Sequence, residues 1–189
     1  IEPDTQFVIR TAAVHDENPE ILQAHAMGIP VFERAQAWGS IMKDYKNALC
    51  IAGTHGKTTT TSMCTHILMA AEKDPTVMIG GTLPILQASH RVGKGDTIVL
   101  ESCEYYDSFL NFFPTIAVVL NIEADHLDYF TGGLPDIQKS FRQFAASVPE
   151  NGCVVANAED PNTMEALKGI NRKVVTFGLV DGADVTAKN

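Results

Sequence analysis

The stretch Ala48-Leu49-Cys50-Ile51-Ala52-Gly53-Thr54-His55-Gly56-Lys57-Thr58-Thr59-Thr60 decides the fold. Ala48 to Ala52 is apolar throughout, as a strand buried on both faces of a parallel sheet must be. Gly53 then opens a turn. Beyond it Met63, Cys64, Ile67, Leu68 and Ala71 recur at helical spacing, so a helix burying that face is expected to begin at Thr58. A strand that turns through glycines into a helix with Lys and Thr at its start is the setting of a phosphate-binding loop. Glycines let the backbone approach phosphate oxygens, and the helix N-terminus offers unpaired N–H groups and partial positive charge, to which Lys57 adds a full one. The Thr58 hydroxyl is placed to ligate a Mg²⁺ that bridges the β- and γ-phosphates. The general G-x-x-x-x-G-K-[ST] pattern would put its first glycine at Ile51, whereas here it is Gly53, so the loop is two residues shorter. A glycine turn with a solvated lysine is the plainer alternative, but it leaves the string of Gly, Gly, Lys and Thr unexplained.

Outward from this stretch, short apolar runs alternate with helical patterns, the signature of an α/β fold with a mainly parallel sheet. Before it, strands are expected at Phe7 to Thr11 and Ile29 to Phe32. The helix between them is started by Asn18-Pro19 and stopped by Gly28. A further helix is expected from about Arg34 to Tyr45. After it, strands are expected at Val77 to Ile79, Thr97 to Leu100, Thr115 to Leu120, Cys153 to Ala156 and Lys173 to Phe177. Ile137, Phe141, Phe144, Ala145 and Val148 recur at offsets of 4, 7, 8 and 11, which predicts an amphipathic helix ending at Pro149. Asp160-Pro161 starts another, ending near Gly169.

Composition bounds the function. A chain of 189 residues, 45% hydrophobic, can bury a substantial core, which excludes a disordered chain. The balance of 14 basic against 23 acidic residues gives a net charge of −9 without a Lys/Arg run, which disfavours a nucleic-acid or anionic-membrane surface. The longest apolar runs, such as Ile116 to Leu120, fall far short of the roughly 20 residues of a membrane span. The chain opens at Ile1-Glu2-Pro3 without Met or an apolar leader, and reads as a trimmed piece of a longer protein rather than as a signal peptide. Cys50, Cys64, Cys103 and Cys153 form no C-x-x-C pair, so free thiols in a reducing cytoplasm are expected rather than a zinc site.

Two further segments carry candidate chemistry. Glu101 follows the apolar run Ile98-Val99-Leu100, and a carboxylate at the C-terminal edge of a parallel strand faces the crevice where α/β proteins bind ligands, unless it is simply a surface residue. Glu104 is an alternative metal ligand or a substrate-facing group. The string Asn121-Ile122-Glu123-Ala124-Asp125-His126-Leu127-Asp128 again clusters polar residues after a buried strand. Its histidine is either a structural hydrogen-bonder or a ligand, and its aspartates could cap a turn. The spacing of Asn121 and Asp125, with no intervening Lys, does not fit the N-K-x-D motif of a GTPase.

Taken together, Gly53 to Thr59 (GTHGKTT), Glu101 to Leu110 (ESCEYYDSFL) and Asn121 to Asp128 (NIEADHLD) resemble the Mur ligases, whose pattern includes the shortened loop. The resemblance covers almost the whole chain. It implies that residues 1–46 end a Rossmann-like, UDP-binding N-terminal domain and that residues 47–189 are an incomplete central ATP-binding domain. It implies a phosphate cradle of Gly53, Thr54, His55, Gly56, Lys57, Thr58 and Thr59, with Lys57 on the β/γ-phosphates. Thr58 and Glu101 are implied to hold a first Mg²⁺ and His126 a second, where Mn²⁺ would also suit an imidazole. The implied cofactors are thus ATP and two Mg²⁺. Within the family the His in the loop and the N-I-E-A-D-H string are most similar to the branch that joins L-alanine to UDP-N-acetylmuramate through an acyl phosphate, in bacterial peptidoglycan precursor synthesis. The branch that reattaches recycled murein peptides shares the loop His and is the alternative. Ser102-Cys103-Glu104-Tyr105-Tyr106 departs from the more acidic stretch many members carry. With two of three substrate sites incomplete, the chain alone is expected to be a nucleotide-binding module without catalysis, and an exposed sheet edge is expected to favour self-association.

Overall fold

A computed structural model describes residues 1–187. Two short parallel strands, β1 (Val8–Arg10) and β2 (Val31–Glu33), pair with Val8 opposite Val31, and α1 (Pro19–Ala26) crosses between them. The start of α1 follows from chemistry at its first residues: the Asn18 side chain accepts the Glu20 N–H at 2.9 Å, and Pro19 needs no acceptor. The next helix, α2 (Arg34–Ile41), is shorter than the periodicity predicts, because the chain tightens into a 3-10 turn over Met42–Asp44. That turn drives Met42 into the core, where it is 1% exposed, and releases Asn47 to start the main sheet.

The main sheet begins with β3 (Asn47–Ala52), which leads into α3 (Lys57–Ala70). It continues through β4 (Thr76–Leu83), β5 (Ala88–Arg91) and β6 (Thr97–Glu101), a 3-10 segment over Tyr105–Asn111, and β7 (Ile116–Val119). Then come α4 (Leu134–Ala146), β8 (Cys153–Asn157), α5 (Pro161–Leu167), β9 (Val174–Gly178) and β10 (Val185–Thr186). The strand order is β10-β9-β8-β7-β3-β6-β4-β5, and every pair is parallel except β4–β5. β3 therefore lies between β6 and β7, with Ile51 opposite both Glu101 and Val118. The connection from β3 leaves toward β4 and β6, and the chain returns on the other side as β7. The carboxyl ends of these three strands thus border the crevice where an open parallel sheet accepts ligands.

One face of the sheet is closed by α4, α5 and the 3-10 segment around Phe109, Phe141 and Phe144, all fully buried. The Phe109 ring stacks on Phe144 with centroids 4.6 Å apart and meets Phe141 edge-on at 5.2 Å. The other face packs Ile51, Val77, Val99 and Val118 against Cys64 and Leu68 of α3. This corrects the expected face of α3. The helix starts at Lys57, Met63 and Ile67 are 59% and 65% exposed, and Thr61 and Thr65 are fully buried beside Cys64 and Leu68. The threonines can go inside because their hydroxyls bond back to the carbonyls of Lys57 and Thr61, each at 2.8 Å, leaving their methyls to face the sheet. Neither β5 nor β10 is expected from the sequence. Ala88–Arg91 has no apolar run, and polar residues of that kind suit an outermost strand.

Candidate active site

The loop between β3 and α3 owes its shape to its glycines and to a residue from another strand. Gly56 takes φ +84° as the residue before the helix, which other side chains rarely allow. The first helical bond runs from the Thr60 N–H to the Gly56 carbonyl, so the amides of Lys57, Thr58 and Thr59 precede any intrahelical acceptor. Such amides, with the positive end of a helix behind them, suit an anion. Asn121, just past β7, clamps this loop. Its Oδ1 accepts the His55 N–H at 2.8 Å, its Nδ2 donates to the His55 carbonyl at 3.1 Å, and its own carbonyl accepts the Thr54 N–H at 3.0 Å. The Thr54 hydroxyl accepts the Glu123 N–H at 2.9 Å, and the exposed His55 imidazole lies 3.5 Å from the Glu123 carboxylate.

Lys57 turns inward over its own loop. Its Nζ donates to the carbonyls of Gly53 at 2.6 Å and Thr54 at 3.1 Å, and to the Glu104 carboxylate at 3.0 Å. Glu104 is nearly inaccessible, its side chain 3% exposed, and this ammonium compensates its charge. Thr58 and Glu101 form a second pair, with the threonine hydroxyl donating to Glu101 Oε1 at 2.9 Å. Glu101 Oε2 accepts the Gly80 N–H at 2.7 Å. Gly80 has to be glycine for this approach, since a Cβ there would come within 2.6 Å of Glu101 Oε1.

His126 stands on the turn after β7 with φ +52°, its backbone N–H held by Asp125 Oδ1 at 2.7 Å. Its Nε2 is 4.0 Å from both Glu104 Oε1 and Asp125 Oδ2, and its ring lies over Tyr105. The Tyr105 hydroxyl donates to Asp128 Oδ2 at 2.5 Å, which holds the Asp128 carboxyl below its usual range and pushes the phenol up. Tyr129 donates to Asp107 at 2.7 Å, and that bond moves its phenol up to about 12. Of the residues expected at the site, Lys57, Thr58, Glu101 and His126 all border the same crevice, with Thr58 on Glu101 and His126 beside Glu104. In the loop beside it Gly53 and Thr54 are buried, whereas His55, Gly56, Thr58 and Thr59 are exposed.

The donor chemistry fits Mg²⁺ at Thr58 and Glu101, two hard oxygens that leave the other positions to phosphate and water, as this ion prefers. His126 and Glu104 offer an imidazole and a carboxylate for a second ion. Among the described residues no three His, Cys, Asp or Glu side chains gather into a complete cage, so bound phosphates would have to supply ligands. Asn121 and Gly80 were not recognised as site residues from the sequence. The Gly80-Gly81 pair at the end of an apolar run is the signal that could have pointed to the second of them.

Residues 51–189 match the pattern described as the Mur ligase middle domain, and residues 1–46 that described as the Mur ligase family, catalytic domain. This chain belongs to the Mur ligase family. Among its Mur ligase relatives is the UDP-N-acetylmuramate–L-alanine ligase of Caldanaerobacter subterraneus subsp. tengcongensis, 50% identical over 97% of this chain and 40% of that protein. The crystal structure of the UDP-N-acetylmuramate-alanine ligase MurC from Thermotoga maritima superposes with a TM-score of 0.82 at 32% identity, over 97% of this chain and 40% of that one. The Neisseria meningitides UDP-N-acetylmuramate:L-alanyl-gamma-D-glutamyl-meso-diaminopimelate ligase gives 0.78 at 27% identity, over 90% and 58%. The chain thus spans about 40% of the length of the curated Mur ligases it matches. The expected α/β class with a mainly parallel sheet and the expected family both hold. No helix among the described residues is long and apolar enough to cross a membrane.

Proposed function

We propose that the complete protein is an ATP-dependent ligase that joins L-alanine to UDP-N-acetylmuramate in peptidoglycan precursor synthesis. The observation that carries this reading is the convergence of Lys57, the Thr58–Glu101 pair and the Glu104–His126 pair around one phosphate loop, in a chain 50% identical to such a ligase. The lactyl carboxylate of UDP-N-acetylmuramate attacks the γ-phosphorus of ATP, giving an acyl phosphate and ADP. The amine of L-alanine then attacks the acyl carbon and expels inorganic phosphate.

The protein's part is alignment and charge neutralisation. The amides of Lys57 to Thr59 cradle the phosphates, and Lys57 leaves Glu104 to meet the charge that builds on the transferring group. Thr58 and Glu101 would hold one Mg²⁺ and His126, with Glu104 beside it, a second. Such ions supply charge neutralisation and orientation to the phosphates. Residues 1–46 are read as the end of the UDP-binding domain and 47–189 as most of the central ATP-binding domain, and the reaction is read as cytoplasmic, which the free thiols support. A cavity of about 250 Å³ lined by Arg10, His15, Glu33, Tyr106 and Ser108 lies where these two parts meet.

The test is phosphate release by the complete protein with ATP and UDP-N-acetylmuramate while the acceptor is varied. Stimulation by L-alanine is expected. The likeness to the Neisseria ligase supports the second reading, transfer of a murein tripeptide, and stimulation by the tripeptide alone would replace the first reading with it.

A further inference from the structure

The segment Cys103-Glu104-Tyr105-Tyr106 stands where the family resemblance implies more acidic residues, and the proposed mechanism uses only Glu104 from it. Tyr105 is the neighbour of His126 on two counts. Its ring stacks on the imidazole with centroids 4.3 Å apart and planes inclined by 23°. Its hydroxyl reaches past the imidazole to Asp128 Oδ2 at 2.5 Å, on the same turn as His126. Tyr106 packs on the Tyr105 ring at 4.4 Å and Tyr129 meets it edge-on at 6.2 Å, so the phenol is held from the protein side as well. The backbone around it is fixed in sparsely populated conformations, with φ +53° at Tyr106 and Asp107 and +52° at His126.

A histidine at a charged site is normally oriented by a hydrogen bond from one ring nitrogen to a carboxylate or carbonyl. His126 has no such bond among the described residues. Its Nε2 stands 4.0 Å from Glu104 and from Asp125, beyond hydrogen-bond distance. What remains to set the plane of the ring is the stack.

We propose that Tyr105 is a positioning residue for His126: its ring sets the imidazole plane so that Nε2 faces Glu104, and its bond to Asp128 holds that ring in place. The inference rests on the reading of this crevice as the ligase active site. Tyr105 touches no reacting atom in this role.

The experiment pairs NMR of the His126 ring protons in the 189-residue chain, without metal or nucleotide, with steady-state kinetics of the complete protein. In the wild type the His126 ring protons are expected upfield, under the ring current of Tyr105. Tyr105→Ala should release that shift and lower kcat by about 10- to 100-fold, the usual cost of losing a group that orients a ligating histidine. KM for UDP-N-acetylmuramate and for L-alanine should stay unchanged. Tyr105→Phe, which keeps the ring but loses its bond to Asp128, should retain more of the shift and of kcat than Tyr105→Ala, though less than the wild type. Tyr105→Leu fills the space without a ring current and serves as the reading if the alanine variant does not fold. Unmoved His126 resonances in Tyr105→Ala or Tyr105→Leu would overturn the proposal, as would a Tyr105→Phe variant as impaired as Tyr105→Ala. Absence of alanine-dependent phosphate release in the wild type would count against the ligase reading instead, and the ring-proton shifts would still decide the placement of His126.

Discussion

The proposed mechanism and the structure make different demands on Lys57. In the proposed mechanism its charge belongs on a phosphate, but in the structure it neutralises Glu104, whose side chain is 3% exposed. Reasoning from the loop alone leads one to expect that removing Lys57 would reduce turnover more than folding. The buried carboxylate changes that expectation. Lys57→Ala leaves a carboxylate in a poorly hydrated place without its cation, and should cost on the order of 3 kcal/mol of stability, read as a shift in the denaturant midpoint. Combining it with Glu104→Gln should recover most of that loss. In the complete protein, both the single and the double variant should still show alanine-dependent turnover about 10³-fold lower, as expected for removal of a charge-stabilising group. Near-normal turnover in either would remove Lys57 from the mechanism. The loop itself can be read in the sequence because Gly53, Gly56, Lys57 and Thr58 stand together in one turn, whereas Glu104 and Glu101, the partners of Lys57 and Thr58, lie 47 and 43 residues on. The Asn121 clamp cannot be read in that way. Its partner His55 lies 66 residues earlier, and only the pairing of β3 with β7 brings the two together.

At the scale of elements, periodicity succeeds where a helix has one apolar stripe and fails where polar side chains satisfy themselves. In α4 the residues Ile137, Phe141, Phe144 and Ala145 are buried as their spacing predicts, with Val148 just beyond the helix. In α3 the same reasoning selects Met63 and Ile67, but the helix instead turns Thr61, Cys64, Thr65 and Leu68 toward the sheet. Thr61 and Thr65 then face the sheet at little cost, since each hydroxyl has a carbonyl of the preceding turn. The α4 packing has a direct test. Phe144 is fully buried and stacks on Phe109, so Phe144→Ala should destabilise the chain by about 3–5 kcal/mol in urea or thermal unfolding. A loss below about 1 kcal/mol would mean that this face of the sheet is not packed as described.

For the whole molecule, the order β7-β3-β6 matters more than any single strand. It brings three segments far apart in sequence to one crevice, where the proposed nucleotide site lies. The fold class was legible from alternating strand and helix patterns, but the strand order was not, because the central pairings β7–β3, β3–β6 and β6–β4 join strands that are not consecutive in sequence. With the loop, Thr58 and Glu101 all present, calorimetry of the 189-residue chain with ATP and Mg²⁺ should show binding heat without phosphate release. Turnover by the chain would contradict the view that the other substrate sites lie outside it, and absence of any heat would mean that the loop alone does not retain nucleotide.

The contact between Lys57 and Glu104 also changes what nucleotide entry is. An empty phosphate loop is usually pictured as a docking place where an anion simply arrives. Here the ammonium already has two carbonyls and a carboxylate around it. An entering phosphate must outcompete a carboxylate for it, and the displaced carboxylate must find His126 or an incoming cation. Under the proposed function, loading the loop is therefore a swap of counterions, in which nucleotide and metal have reason to arrive together.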